Sequence, residues 1–172
     1  MTADLRHRFS DLRQRITAAA NAAGRNADSV GMIAVSKTRS ADEIRALAQA
    51  GQQHFGENYL QEALSKRDAL RDLPLCWHFI GPLQSNKTAE VAGHFDWVHS
   101  VDRLRIAERL SQQRPADQGP LQVCVQVNLS GEASKSGCTP AELPALCHAV
   151  SRLPGLRLRG LMTLPAPPQP GD

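Results

Sequence analysis

The chain has 172 residues, of which 41% are hydrophobic and 22% charged, and it carries a formal net charge of +3. This composition is typical of one globular domain and argues against a disordered chain. The sequence contains no run of about 18 apolar residues and no signal peptide, so we expect no membrane association and a cytoplasmic location. It has no basic block with interleaved aromatic residues, so we expect no nucleic-acid partner.

The first predicted elements are a helix, a strand and a second helix. Apolar residues from Leu5 to Ala23 recur at spacings of three and four, which predicts an amphipathic helix ending near Gly24. Residues 32–36 form a short apolar run that predicts a buried parallel strand. Ser40 and Glu43 then have the spacing of a capping box, so a helix should begin there and stop before Gly51.

The same alternation continues to the end of the chain. We predict further strands at residues 53–56, 77–80, 97–100, 123–127 and 158–162. Helices are predicted at residues 58–70, after Ser85, at 104–113 and from Thr139, where Thr139 and Glu142 form a second capping pair. Six strand–helix repeats indicate a parallel α/β fold. The pattern leaves two architectures open, a doubly wound sheet and a (β/α)₈ barrel of which about six of the eight units are present.

Polar residues follow most of the predicted strands, at the carboxyl edge where parallel folds bind ligands. Lys37 comes directly after the first strand, and a partly desolvated stem there would disfavour the ammonium form and free the amine as a nucleophile. The alternative is a lysine whose stem lies on the strand end and whose ammonium reaches water. The position alone does not separate the two interpretations.

Two further segments also allow more than one interpretation. Ser85 and Asn86 follow the third strand and could donate to a ligand, or Ser85 could cap the next helix. His78 lies within that strand, either as a hydrogen-bonded core residue or as an acid–base group. The loop 128–137 contains two glycines, three serines and Lys135, and it could either bind an anion or be an ordinary loop.

Metal and hydrolase chemistry are not predicted. The histidines have no HExxH spacing, and the four cysteines, Cys76, Cys124, Cys138 and Cys147, form no CxxC pair. The sequence also lacks the GxSxG motif of serine hydrolases. We therefore predict no metal ligands and no catalytic triad.

Five strings of residues resemble the pyridoxal phosphate homeostasis (YggS/PROSC) family, which shares a fold with the N-terminal domain of alanine racemase. They are Ala34-Val-Ser-Lys-Thr38, Phe55-Gly-Glu-Asn-Tyr59, Trp77-His-Phe-Ile-Gly-Pro-Leu-Gln-Ser-Asn-Lys87, Ser134-Lys-Ser-Gly137 and Gly160-Leu-Met-Thr163. The strings follow the family order across nearly the whole chain. The eleven-residue string is highly specific.

The resemblance implies a TIM-barrel-type (β/α)₈ fold with an extra N-terminal helix and pyridoxal 5′-phosphate as the cofactor. Lys37 would form the aldimine, and Asn58, His78 and Met162 would lie near the cofactor ring. Ser85, Asn86 and Lys135 would be secondary contacts. The family is thought to store or hand on the cofactor without a reaction of its own, so we expect no catalytic residues and expect cofactor-dependent apo-enzymes as partners.

One departure from the family pattern affects these expectations. Family members continue through two more strands, which carry a phosphate-binding stretch and an arginine near the ring. We therefore expect residues 1–172 to be a single barrel domain that ends before the last two strands and binds the cofactor weakly or not at all. The family is monomeric, but open edges at the first and sixth strands would favour association.

Two alternative functions use the same lysine. An amino-acid racemase would need a second acid–base group on the far side of the cofactor, and in alanine racemase a tyrosine from a separate β domain supplies it. The only tyrosine here, Tyr59, belongs to the second-strand string. A Schiff-base lyase without a cofactor would need a proton-transfer residue beside Lys37, for which His78 is the candidate.

Overall fold

A computed structural model describes residues 2–131 and 136–164 of the chain. Within these residues there are six α-helices and six β-strands, which alternate after the first helix. The helices are α1 (Thr2–Ala22), α2 (Ala41–Gln49), α3 (Leu60–Ala69), α4 (Thr88–His94), α5 (Leu104–Gln113) and α6 (Leu143–Val150). The strands are β1 (Ala34–Val35), β2 (His54–Glu57), β3 (Cys76–Phe79), β4 (Trp97–Val101), β5 (Leu121–Gln126) and β6 (Leu156–Met162).

The strands form a parallel sheet whose order follows the chain from β1 to β6. Sequential parallel order is the arrangement of a (β/α) barrel, whereas a doubly wound sheet reverses its strand order at a switch point. The structure therefore decides between the two architectures that the strand–helix pattern left open. The barrel is incomplete, with six strands in the described residues.

The predicted elements are confirmed in type, and several differ in their bounds. β1 has two residues rather than five, and α6 begins at Leu143 rather than at Pro140. The predicted pair at the start of α6 is nevertheless formed, since the Glu142 carboxylate accepts hydrogen bonds from the Thr139 amide and hydroxyl at 2.9 and 2.8 Å. These bonds close a turn that precedes the helix instead of forming its first turn.

The chain divides into two compact units. The first unit contains residues Met1–Gly56 and Gln61–Cys76, and the second contains Glu57–Leu60 and Trp77–Asp172. In the first unit β1 pairs with β2 in the register Ala34 to Phe55. Its core includes Ile44, Phe55 and Leu70, each at most 2% exposed.

The second unit has the larger core. β4 pairs with β5 in the register Val98 to Val123, and both side chains are fully buried. Ile106 and Leu110 of α5 are also fully buried, because α5 has its apolar residues on one face, as the sequence pattern predicts. No helix of the described residues is long and apolar enough to cross a bilayer.

Candidate functional site

Lys37 lies directly after β1, and its side chain is exposed. Within residues 2–131 and 136–164 its amine has no hydrogen-bond or ion-pair partner. The partial desolvation of its stem, which was one of the two interpretations of this position, is not observed. β1 is the first strand in the sheet order and pairs with β2, and Val35 of this strand is also 54% exposed. The amine is therefore accessible to a ligand, and its exposure fits the alternative interpretation, a lysine at the strand end whose amine reaches water.

The backbone on both sides of Lys37 is held by hydrogen bonds. The Ser36 amide donates to the Gly56 carbonyl at 2.9 Å, and the Thr38 amide donates to Glu62 Oε1 at 2.6 Å. Thr38 has a φ of 63°, in the left-handed region that β-branched residues rarely adopt. Such a conformation costs about 1–3 kcal/mol and persists where surrounding contacts enforce it.

Two residues of α3, Glu62 and Lys66, contact the backbone on either side of Lys37. Lys66 Nζ donates to the Ser36 carbonyl at 2.7 Å and to Glu62 Oε1 at 2.6 Å. The Lys66 side chain is 8% exposed and the Glu62 side chain 30%. The hydrogen bond from Lys66 lowers the pKa of the Glu62 carboxyl, burial opposes this shift, and the hydrogen bond from Thr38 lowers the pKa further. Glu62 is therefore ionised near neutral pH.

Our sequence reasoning did not identify Glu62 or Lys66 as site residues. A glutamate four residues before a lysine on a predicted helix indicates an ion pair. The four-residue spacing of Glu62 and Lys66 predicts an ion pair between them, but it does not predict that the pair contacts the backbone of the loop after β1. Only the fold brings α3 against the segment that follows β1.

Asn58 follows β2 and is half-buried in the second unit. The carbonyl of Glu57, the residue before it, accepts a hydrogen bond from the amide of Ile80 at 2.9 Å. A Cβ at Gly81 would lie 2.3 Å from the backbone oxygen of Asn58. Glycine is therefore required in the Gly81-Pro82 pair, because any side chain would displace the backbone of Asn58.

His78 is a hydrogen-bonded core residue, as one of the two interpretations predicted. It is 3% exposed, and its Nδ1 lies 2.8 Å from His99 Nε2. The Trp97 ring stacks on both imidazoles, with centroids 5.4 Å from His78 and 5.7 Å from His99. Burial lowers the pKa of His99, which favours its neutral form. In the hydrogen bond between the two rings, one nitrogen carries the N–H that donates and the other nitrogen accepts.

An irregularity in β6 brings a cation to this aromatic cluster. Val123 pairs with Leu158 and Cys124 with Gly160, so Arg159 is an extra residue in the ladder. Bulges of this kind commonly redirect a side chain. The Arg159 guanidinium lies 5.7 Å from the centroid of the Trp97 ring, at a distance typical of a cation–π contact.

The remaining predicted site residues lie at separate positions. Met162 is the last residue of β6, is half-buried and accepts a backbone hydrogen bond from Val127 at 2.9 Å. Of the two interpretations of Ser85, capping of the next helix is not observed, because the N-cap of α4 is Lys87. The Ser85 carbonyl accepts a hydrogen bond from Arg109 at 2.9 Å. Asn86 is exposed. Lys135 lies outside the described residues.

The chain is similar to curated proteins with one shared name. It matches the profile of the family described as "Alanine racemase, N-terminal domain" over residues 4–169. It is 65% identical over 153 residues to the pyridoxal phosphate homeostasis protein of Pseudomonas aeruginosa, covering 89% of this chain and 66% of that protein. It is 52% identical over 167 residues to the protein of the same name from Escherichia coli, covering 95% of this chain and 71% of that one.

Solved structures show the same relationship. PipY of Synechococcus elongatus, in a structure with PLP bound, is 40% identical and superposes with a TM-score of 0.82, covering 97% of this chain and 73% of that one. Alanine racemase of Corynebacterium glutamicum is 19% identical with a TM-score of 0.58, over 76% of this chain and 38% of that one. The second likeness supports the barrel fold alone. The chain thus spans about two thirds to three quarters of the length of its nearer relatives.

Proposed function

Since the chain belongs to the alanine racemase N-terminal domain family, we propose that it is the larger part of a pyridoxal phosphate homeostasis protein that holds the cofactor at Lys37. When bound, pyridoxal phosphate supplies an aldehyde carbon that condenses with a primary amine, forming a C=N bond and releasing water. The observation that carries the proposal is the Lys37 amine, which is exposed and has no partner within the described residues. A primary amine is the kind of nucleophile that condenses with an aldehyde.

Other residues contribute to the proposed binding by polar and packing contacts. We include Asn58, His78 and Met162 as residues that contact the ring, and Ser85, Asn86 and Lys135 as secondary contacts. The backbone of Asn58 passes close to Gly81, and the His78 side chain is held by its hydrogen bond to His99. Side chains fixed before the ligand arrives lose little entropy on binding.

The proposed role is binding without catalysis. Racemisation needs a second acid–base group opposite the amine, and the sole tyrosine of the sequence, Tyr59, is 58% exposed and belongs to the segment after β2. The relatives' shared name, which speaks of homeostasis rather than of a reaction, supports the same role. Handing the cofactor to apo-enzymes is part of this proposal.

Reduction with borohydride, after incubation of the full-length protein with pyridoxal phosphate, tests the attachment site. Reduction converts the C=N bond to a stable amine, and peptide mass spectrometry then locates the added mass. We expect the adduct on Lys37, and the Lys37→Arg variant should lose it, because a guanidinium does not condense with the aldehyde under these conditions. Lys66 is the matched internal control, since its side chain is 8% exposed and ion-paired.

Two results would overturn the proposal. The first is an adduct that survives in Lys37→Arg at the level of the unaltered protein. The second is formation of D-alanine from L-alanine by the cofactor-loaded protein, abolished by Lys37→Arg, which would identify a racemase rather than a carrier.

A further inference from the structure

We infer that Glu62 and Lys66 are positioning residues that hold the backbone of Lys37 from both sides. We call these two residues the α3 pair. The inference rests on the proposed function, because it assigns the α3 pair the task of presenting the Lys37 amine.

The α3 pair contacts both peptide groups that flank the Cα of Lys37. The carbonyl of Ser36 belongs to the peptide before Lys37, and it accepts a hydrogen bond from Lys66 Nζ at 2.7 Å. The amide of Thr38 belongs to the peptide after Lys37, and it donates to Glu62 Oε1 at 2.6 Å. Fixing these two planes limits the rotation of the backbone at Lys37 and so fixes the direction in which its side chain leaves the chain.

The two contacts are joined to each other. Lys66 Nζ also donates to the Glu62 oxygen that accepts from Thr38, at 2.6 Å. Charge-assisted hydrogen bonds are shorter and stronger than neutral ones, and the buried position of Lys66 lowers the local screening of its charge. The α3 pair is thus a connected unit in which loss of one member weakens the contact made by the other.

The conformation of Thr38 indicates that the loop needs this restraint. A threonine with a φ of 63° is unfavourable by itself, and a free loop would relax toward negative φ. A relaxed Thr38 would turn its amide away from Glu62 and would redirect the preceding residue, which is Lys37. We therefore expect the α3 pair to decide whether the Lys37 amine is held in one direction or is mobile.

An ordinary helix ion pair is the competing explanation. A pair at i and i+4 on a helix surface stabilises that helix and does not need contacts outside it. The α3 pair differs because both members also bind the loop after β1. The chain offers a matched comparison, since Arg45 and Asp72 form a two-bonded ion pair in the same unit, at 2.5 and 2.8 Å, without a recorded contact to residues 36–38.

The test compares variants of the full-length protein by amide hydrogen exchange without cofactor and by cofactor titration. In Glu62→Ala and Lys66→Met we expect exchange at the Thr38 amide to rise at least ten-fold and cofactor affinity to fall about ten-fold, which is the loss of one charge-assisted contact. Glu62→Gln keeps an acceptor for Thr38 and should retain most of the protection. Asp72→Ala should lower the melting temperature without changing the exchange rate of the Thr38 amide or the cofactor affinity.

The possible outcomes separate the two proposals. If Thr38 exchange is unchanged in Glu62→Ala, or if Asp72→Ala raises it equally, the inference is overturned. If exchange rises but borohydride trapping finds no adduct on Lys37 of the unaltered protein, the proposed function fails while the restraint on the loop stands. Should Lys66→Met fail to fold, the contrast between Glu62→Ala and Glu62→Gln still decides the inference.

Discussion

Two neighbouring residues after β1 combine an exposed side chain with an unfavourable backbone conformation. Lys37 is exposed, and its neighbour Thr38 adopts the left-handed conformation with a φ of 63°. Strained backbone of this kind is common at ligand-binding positions, where surrounding contacts maintain it. Here the maintaining contact is the 2.6 Å hydrogen bond from the Thr38 amide to Glu62.

Replacing Thr38 by glycine tests the strain. Glycine adopts positive φ without the clash of a Cβ, which relieves about 1–2 kcal/mol, but it loses about 0.5–1 kcal/mol through the entropy of the unfolded chain. We therefore expect Thr38→Gly to raise the free energy of unfolding by about 0.5 kcal/mol, measured by urea titration. Thr38→Ala keeps the Cβ and should give no gain; a gain equal to that of glycine would show that the backbone is not strained.

At the scale of elements, local sequence signals explain where helices start better than they explain strand lengths. α2 begins where its capping box predicts, because the Ser40 hydroxyl accepts a hydrogen bond from the Glu43 amide at 3.2 Å while the Ser40 amide donates to the Glu43 carboxylate at 2.9 Å. Both signals lie within four residues of the chain. β1, by contrast, is shorter than its apolar run, because a strand extends only as far as a neighbour pairs with it.

Removing the cap of α2 is the matching prediction. Ser40→Ala leaves one helix amide without its side-chain acceptor and should lower the free energy of unfolding by about 1 kcal/mol, measured by urea titration. Ser65→Ala is the control, since Ser65 is exposed within α3 and alanine is a good helix former there. Equal losses in both variants would contradict a capping role for Ser40.

At the scale of the whole molecule, several ionisable groups have pKa values below their ordinary range. Burial lowers that of His99, and hydrogen bonds lower those of Glu43, Glu62 and Glu142. In each case the folded state binds protons less readily than the unfolded state. Stability from these groups is therefore present above the unfolded pKa and is lost as the pH falls through the folded pKa.

We accordingly expect the free energy of unfolding to fall in two stages on acidification. The first stage begins near pH 6.5, the ordinary pKa of histidine, and is due to His99 beside His78. The second lies below pH 4.5, the ordinary value of glutamate. Urea titrations at pH 7, 6 and 5 should show the first stage in the unaltered protein and a smaller one in His99→Gln. If the free energy of unfolding falls equally in both proteins between pH 7 and pH 5, the first stage is due to another group.

The sequence by itself determined the parallel α/β class, the order of the elements and the capping box of α2, and its resemblance to a family led to the prediction of Lys37. These features follow from local periodicity and from short strings of residues, so they need no knowledge of distant contacts. Of the two interpretations that the sequence left open for Lys37, the structure fits the lysine whose amine reaches water, because the side chain is exposed.

Only the tertiary structure decided what surrounds the site residues. The contact of Glu62 and Lys66 with the loop after β1, the pairing of His78 with His99 and the redirection of Arg159 toward Trp97 each join residues from separate elements. The physical reason is that side-chain direction and burial depend on which strands and helices become neighbours. That choice is set by packing of the whole fold and not by any single segment of the chain.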